Sequence, residues 1–308
     1  MIETGKLRII CFNIQKLNTP DKLENFLNMI KGRSPHIICL TEFDRSLNID
    51  SLSTSLSKVN FSFFHNNINK RTATWYHHNI EIISSNNFHQ LPYHHQVSQQ
   101  HIDDITISFN NTRITIVTVY VPSPTISPEL CPGRINKQQF LADFQQQLHL
   151  LTSYNHNIIL VGDWNTRPLE ETQNTSYENL FHQHLHQAGM VDIFFLPPNR
   201  KSLPYTNITK HIKRRLDRCY TTASIINKFH ISLRVGRYTH RSSHRPIEVT
   251  IKPFGNNTPN NTPYHQYHQK LRSIPQVILE HPNMMKYIFS PTTIWPDAPA
   301  LSYDNYIH

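Results

Sequence analysis

Apolar residues recur along this chain in short unbroken stretches, and several of those stretches stop abruptly on a polar residue. Leu7-Arg8-Ile9-Ile10-Cys11-Phe12 reads as a first buried strand ending at Asn13. Thr19 followed by Pro20 predicts a helix start, since proline is tolerated at the first helical position. Leu23, Phe26, Leu27 and Ile30 give that helix an apolar stripe. After Pro35, His36-Ile37-Ile38-Cys39-Leu40 reads as a second buried strand running into Thr41-Glu42. Three short strand-like runs are expected between Phe61 and Ile83, with residues 72–77 and 80–83 forming a hairpin about His78-Asn79. Residues 104–109 and 112–121 alternate around Asn110-Asn111, a second hairpin that stops at Pro122. Residues 136–154 read as a helix with Phe140, Phe144, Leu148 and Leu151 on one face. Ile158 to Val161 then forms a buried strand that turns at Gly162 into Asp163-Trp164-Asn165. A helix over 177–187 closed by Gly189, a strand over 229–235, the polar turn Ser242-Ser243-His244-Arg245-Pro246 and a strand over 247–251 complete the pattern.

Helices mixed with antiparallel strand pairs predict an α/β architecture, two packed sheets flanked by helices, over residues 1–252. From 253 to 308 the pattern lapses. Gly255 to Pro263 is low-complexity linker, and the tail beyond it has no sustained period and no core of its own.

Composition sharpens this in three ways. A net charge of +9 that leaves 21 histidines uncounted favours a polyanionic partner. No apolar run approaches the length of a membrane span, and the first residues carry no apolar signal core, so neither membrane nor secretion is expected. Four cysteines without CxxC spacing, with Cys11 and Cys39 inside apolar runs, read as reduced core residues of an intracellular protein. The adjacent His94-His95 lack a recognised zinc spacing and fit the compositional bias toward histidine. The run Lys210-His211-Ile212-Lys213-Arg214-Arg215 would ordinarily be a solvated face; beside Asp217 it is expected to face a polyanion.

The polar strand-end residues form a set: Asn13, Glu42, Tyr120, Asp163, Asn165, Asp217 and His244. Singly each has an ordinary reading as a turn or solvated residue. Strand ends converging at one rim would give them a chemistry. One carboxylate can hold Mg²⁺, whose preference for hard oxygen leaves room for a substrate phosphate. A second can position or deprotonate water, and a histidine held by an aspartate, with Tyr and Asn donors, can neutralise charge on a phosphoryl transition state. That is phosphodiester or phosphomonoester hydrolysis.

In order along the chain, Ile10-Cys11-Phe12-Asn13, Leu40-Thr41-Glu42, Val119-Tyr120-Val121-Pro122, Gly162-Asp163-Trp164-Asn165, Arg215-Leu216-Asp217 and Ser242-Ser243-His244-Arg245-Pro246 resemble six motifs of one superfamily. This is the endonuclease/exonuclease/phosphatase superfamily, which includes apurinic endonucleases, the DNase I type and the endonuclease domains of non-LTR retrotransposons. The resemblance spans residues 6–251 and implies a four-layer α/β sandwich with Mg²⁺-dependent hydrolysis by an activated water, Mn²⁺ serving as a substitute. Carried over by position, it implies that Glu42 binds the metal with Asn13 as a supporting polar ligand or donor. It likewise implies that Asp163 orients or deprotonates the water and that Asn165 contacts the scissile phosphate. Tyr120 would stabilise a phosphate oxygen, His244 would contact the phosphate or transition state, and Asp217 would orient His244 and favour its charged form.

One position departs from the pattern. Ser243 stands where the closing motif has an aspartate, and a hydroxyl cannot replace that negative charge. The expectation is a retained but weakened DNA endonuclease; the alternatives are a catalytically impaired DNA-binding remnant and a phosphatase of the same fold. Met190-Val191-Asp192-Ile193-Phe194 with Tyr205-Thr206 is similar to a stretch of retroelement endonucleases. The tail (Lys270-Leu271-Arg272, Leu279-Glu280-His281-Pro282, Lys286-Tyr287-Ile288) resembles the linker that precedes a reverse transcriptase. The resemblance therefore implies a truncated or separately encoded retroelement endonuclease. Such a protein would act on DNA as a nuclear monomer, with no membrane partner and no small-molecule cofactor.

Overall fold

The unbroken apolar strands are explained by burial on both faces. In the computed structural model, β1 (Leu7–Asn13) and β2 (Ile37–Thr41) lie parallel at the centre of one six-stranded sheet. Leu7, Ile9 and Cys11 face the opposite sheet, whereas Ile10 and Phe12 pack beneath α1 (Pro20–Arg33) and α2 (Ile49–Ser57). With a core on each side there is no solvent face to impose alternation. Antiparallel β14 (Ile247–Pro253) and β13 (Phe229–Val235) extend the sheet beyond β1. Beyond β2 lie β4 (Thr72–His77) and β3 (Phe61–Phe64). The structure describes residues 5–15, 19–42, 49–64, 71–85, 101–123, 137–166, 176–196, 205–209, 213–237 and 242–254.

The second six-stranded sheet repeats the plan. Its order is β5 (Glu81–Ser85), β6 (Ile102–Phe109), β7 (Thr112–Tyr120), β8 (Ile158–Asp163), β12 (Asp217–Thr222) and β9 (Met190–Asp192), with β7 and β8 the parallel pair. Its outer face is covered by α3 (Lys137–Tyr154) and α4 (Ser176–Gln187), which enclose Val117, Val119, Leu160 and Trp164. The layers run helix, sheet, sheet, helix, the four-layer α/β sandwich expected. A separate two-stranded ribbon joins β10 (Asn207–Ile208) to β11 (Lys213–Arg214), and α5 (Ala223–Lys228) links β12 to β13. Among the described residues no helix is long and apolar enough to cross a membrane.

Local chemistry accounts for the boundaries. The Thr19 side chain accepts from the Lys22 amide as N-cap of α1, with Pro20 just inside, and Ser34 ends that helix in the left-handed region at φ 44°. Asn110 and Asn111, at φ 50° and 57°, make the turn whose twist matches the β6–β7 hairpin.

Several expectations are corrected. Residues 72–77 and 80–83 do not form a hairpin: β4 is flanked by β2 and β3 in the first sheet, while β5 pairs with β6 in the second. His78 and Asn79 carry the chain from one sheet to the other, because both edges of β4 are already occupied. The basic run, expected to face a polyanion, does not present all of its described cations outward. Arg215 is buried, with its guanidinium over the rings of Phe194 and Phe195 at 4.9 and 5.0 Å. Beside it, Asp217–Thr222 forms a fully buried strand that the sequence pattern hid, because Arg218 interrupts its apolar character. Residues 210–212, His94-His95 and the tail from 255 lie outside the described residues. Helices α2 and α5 were not anticipated; α2 buries Leu52 and Leu56, four apart, amid serines.

Candidate active site

Both central parallel pairs end at the same rim. Asn13 lies opposite Thr41 in one sheet, and Tyr120 lies opposite Asp163 in the other. Asn13, Asp163 and Asp217 each stand two residues from a member of the inter-sheet core, Cys11, Val161 and Cys219, so their side chains continue the inner face. All three are fully buried.

At this rim two hydrogen bonds between the described residues cross from sheet to sheet. Asn13 Nδ2 donates to Asp163 Oδ2 at 2.7 Å, and the Tyr120 hydroxyl donates to Glu42 Oε1 at 3.0 Å. Glu42 follows the last residue of β2 at φ 53°, a left-handed turn that aims its carboxylate across the gap. Burial first, then the Glu42 carboxylate, pushes the Tyr120 phenol well above its ordinary value, so it remains a donor. His101 stacks on the Tyr120 ring at 5.5 Å between centroids and holds the Tyr120 carbonyl through Nδ1 at 3.0 Å.

Asp163 accepts three hydrogen bonds. The Asn165 amide reaches Oδ1 at 3.0 Å, and Asn165 Nδ2 (3.3 Å) joins Asn13 on Oδ2. These donors favour the carboxylate, yet burial outweighs them, reinforced by the Asp217 and Glu42 charges and opposed by His244. The result is a carboxyl pushed up from 3.8 to about 7. A base poised near neutrality suits proton transfer from water.

Asp217 faces Asp163 across the β12–β8 pairing. Its backbone N–H donates to the buried Thr206 hydroxyl at 2.9 Å, and its Oδ2 accepts from His244 Nδ1 at 2.7 Å. Burial alone would lower the His244 value; the Asp217 charge and hydrogen bond, with Asp163 and Glu42 behind, raise it from 6.5 to about 9. His244 is therefore an imidazolium at neutral pH, with Nε2 as the ring atom left for a substrate oxygen.

The turn after Asp163 is held from beneath. Asn165 sits at φ 44°, a conformation Asn tolerates, and its Nδ2 also donates to the Val121 carbonyl at 2.8 Å. Lys137 Nζ donates to the Asn165 carbonyl at 2.7 Å while paired with Glu178, both side chains buried. Arg218 donates to the Thr166 carbonyl at 2.6 Å and to the Tyr220 hydroxyl at 2.9 Å. Trp164 points the other way, into the α3–α4 core, its indole donating to the Arg218 carbonyl at 3.2 Å. At Gly162 an added Cβ would fall 1.8 Å from the Val119 carbonyl oxygen, so the strand admits no side chain there.

Donor chemistry decides where a metal would fit. Asp163, Asp217 and His244 offer ligand atoms within 4.8 Å of one another. His244, however, already uses Nδ1 on Asp217 and is cationic, which argues against it as a ligand. Glu42 and the Asn13 side-chain carbonyl supply hard oxygen beside Asp163, the donor type that Mg²⁺ prefers. Asp217 Oδ1 is buried with no hydrogen-bond partner among the described residues, an uncompensated lone pair that favours positive charge nearby. The residues present therefore fit a hard divalent cation.

The structure thus brings together all seven residues singled out from the sequence: Asn13, Glu42, Tyr120, Asp163, Asn165, Asp217 and His244. It adds Gln15, whose side chain meets Ser243, and Thr206, Asn207 and Lys137 as supports. Thr206 and Asp192 belong to the stretch noted earlier. Asp192 caps the short turn Ile193–Phe195 by accepting from the Phe194 amide at 3.0 Å.

The profile of the Endonuclease/Exonuclease/phosphatase family matches residues 10–237. The chain belongs to this family. Solved structures share the fold at low identity. The endonuclease domain of TRAS1, a telomere-specific non-LTR retrotransposon, is 15% identical, covering 80% of this chain and 99% of its own, with a TM-score of 0.56. The 3′ phosphatase NExo from Neisseria, solved as a point variant bound to a product DNA hairpin, is 16% identical over 81% of this chain and 100% of its own (TM-score 0.59). AP endonuclease LMAP from Leishmania major is 15% identical over 80% and 88% (TM-score 0.61). No match is found among the curated proteins.

Proposed function

We propose that this chain is a Mg²⁺-dependent DNA endonuclease of the retroelement type, hydrolysing a phosphodiester with an activated water. The observation that carries the reading is the buried cluster of Asp163, Asp217 and His244, whose side-chain donor atoms lie within 4.8 Å of one another, with His244 held on Asp217 at 2.7 Å. In this reading Asp163, steadied by Asn13 and Asn165, takes the proton from the attacking water. His244 Nε2 stabilises charge on the phosphate oxygens, and the Tyr120 hydroxyl does so on turning from Glu42. Asn165, whose Nδ2 is committed to Val121 and Asp163, steadies the turn beneath the phosphate, and Asp217 keeps His244 protonated. Glu42, with Asn13, would hold the metal, which when bound supplies Lewis-acid stabilisation of phosphate charge. The family and the +9 charge support a nucleic-acid substrate, and the TRAS1 likeness supports the retroelement branch. We further propose that residues 1–252 are the catalytic domain, that 253–308 are an appendage, and that the protein acts in the nucleus as a monomer.

Supercoiled plasmid with Mg²⁺ tests the reading. The wild type should nick it, and Asp163→Asn, Glu42→Ala or added EDTA should each abolish nicking. Ser243 favours a second reading, a DNA-binding remnant, which binding without nicking would establish. Hydrolysis of a phosphomonoester with neither binding nor cutting of plasmid would instead assign a phosphatase.

A further inference from the structure

We propose that Gln15 is a positioning residue whose carboxamide clamps the turn bearing His244; the inference rests on the endonuclease reading for its kinetic consequence, but not for its geometry. Gln15 lies just past β1 at φ 45°, fixed on both sides of its backbone. Its N–H donates to Asn13 Oδ1 at 3.0 Å, and its carbonyl accepts from Lys22 Nζ at 3.2 Å. From that anchor the side chain makes a reciprocal pair with Ser243. Nε2 donates to the Ser243 hydroxyl at 2.7 Å, and Oε1 accepts from the Ser243 amide at 2.9 Å.

Ser243 is consequently engaged at its amide, its carbonyl and both lone pairs of its hydroxyl. Its hydroxyl accepts a second amide donor, Asn207 Nδ2, at 3.0 Å, and its carbonyl accepts from the Ile208 amide at 2.8 Å. One residue earlier, the Ser242 hydroxyl donates to the Asn13 backbone carbonyl at 2.9 Å and accepts from the His244 amide at 3.1 Å. The segment that delivers His244 to Asp217 is thus tied at successive residues to the strand end that delivers Asn13 to Asp163. Two amide donors on the Ser243 oxygen occupy the lone pairs a cation would need. Where a carboxylate at this place would organise the turn through a metal, the neutral clamp organises it without one. His244 is set against Asp217 before metal or DNA arrives, and Ser243 is part of a built device rather than a scar.

Gln15→Ala cuts both bonds to Ser243. Gln15→Glu retains an acceptor for the Ser243 amide, and the hydroxyl can reverse and donate to the new carboxylate, so the clamp survives. The readout independent of turnover is the downfield proton resonance of His244 Nδ1–H in metal-free, DNA-free protein. Circular dichroism and thermal melting check the fold. In Gln15→Ala this resonance should broaden or vanish, and kcat for plasmid nicking should fall about 10- to 100-fold with KM changing far less, as for a group displaced by up to about 1 Å. Gln15→Glu should restore both. A sharp, unshifted resonance in folded Gln15→Ala overturns the proposal whatever the activity. Loss of kcat without change in the resonance overturns it equally. If Gln15→Ala fails to fold, Ser243→Ala, which removes only the hydroxyl half of the clamp, decides by the same resonance. If the wild type does not nick DNA, the endonuclease reading fails alone, and the resonance still decides the clamp.

Discussion

Asp217→Asn isolates the electrostatic part of the site, because it preserves shape while removing the charge nearest His244. Under the proposed mechanism two conditions bound the active range: Asp163 must be ionised, above about 7, and His244 protonated, below about 9. The dyad and Asp163 interact, so these limits belong to the ensemble of groups. Removing the Asp217 charge leaves burial to work against the remaining, more distant carboxylates, returning His244 toward its ordinary 6.5. Near pH 8 the protonated fraction of His244 would fall roughly 30-fold, and near pH 6 by less than about 2-fold. A pH profile of plasmid nicking, with Mg²⁺ in excess, should therefore show the alkaline limb moving down and a defect that shrinks on acidification. Stability should follow the same group. Folded His244 holds its proton more tightly than the unfolded chain, so its contribution is complete below about 6.5 and is lost as pH rises through about 9. The full swing corresponds to about 3 kcal/mol. Urea titrations of the wild type across that range should show the loss, and Asp217→Asn should flatten it. An unmoved alkaline limb in the variant would refute the assignment of His244 as the cationic partner.

Other predictions follow from single contacts. Ser243→Asp places a carboxylate where Gln15 and Asn207 already present amide donors, and kcat/KM at limiting Mg²⁺ should rise on the order of 10-fold; no rise would mean the site is limited elsewhere. Lys137→Met removes the buried cation beside Glu178 and frees the Asn165 carbonyl, and should cost about 3 kcal/mol in a denaturant titration. Adding Glu178→Leu should recover most of that stability. Gly162→Ala sets a methyl against the Val119 carbonyl, and because backbone on both strands must yield, nicking and melting temperature should fall together.

Four of the candidate site residues are legible in the sequence because each stands at the end of an apolar run, and a strand buried on both faces announces its end sharply. Asn13, Glu42, Tyr120 and Asp163 were found this way. Partnership between strands was less legible: nothing local distinguishes a tight hairpin at His78-Asn79 from a crossing between sheets. Strand β12 was hidden by Arg218, a buried cation whose two terminal nitrogens donate to Thr166, far away in sequence, and to the Tyr220 hydroxyl. Gln15 was passed over for a different reason. An isolated glutamine carries no periodic or chemical signal, and its meaning comes from Ser243, 228 positions away.

The hydrogen bonds from Asn13 to Asp163 and from Tyr120 to Glu42 make the site a seam between two separately built sheets. Each sheet can keep its ladders while the seam opens, since those ladders run within sheets. A state with native secondary structure but loosened face-to-face packing, as in a molten globule, would keep Asn13, Tyr120, Asp163 and Asp217 on their strands and, under the proposed mechanism, still be inert. Catalysis then reports the docking of the two halves rather than the formation of either.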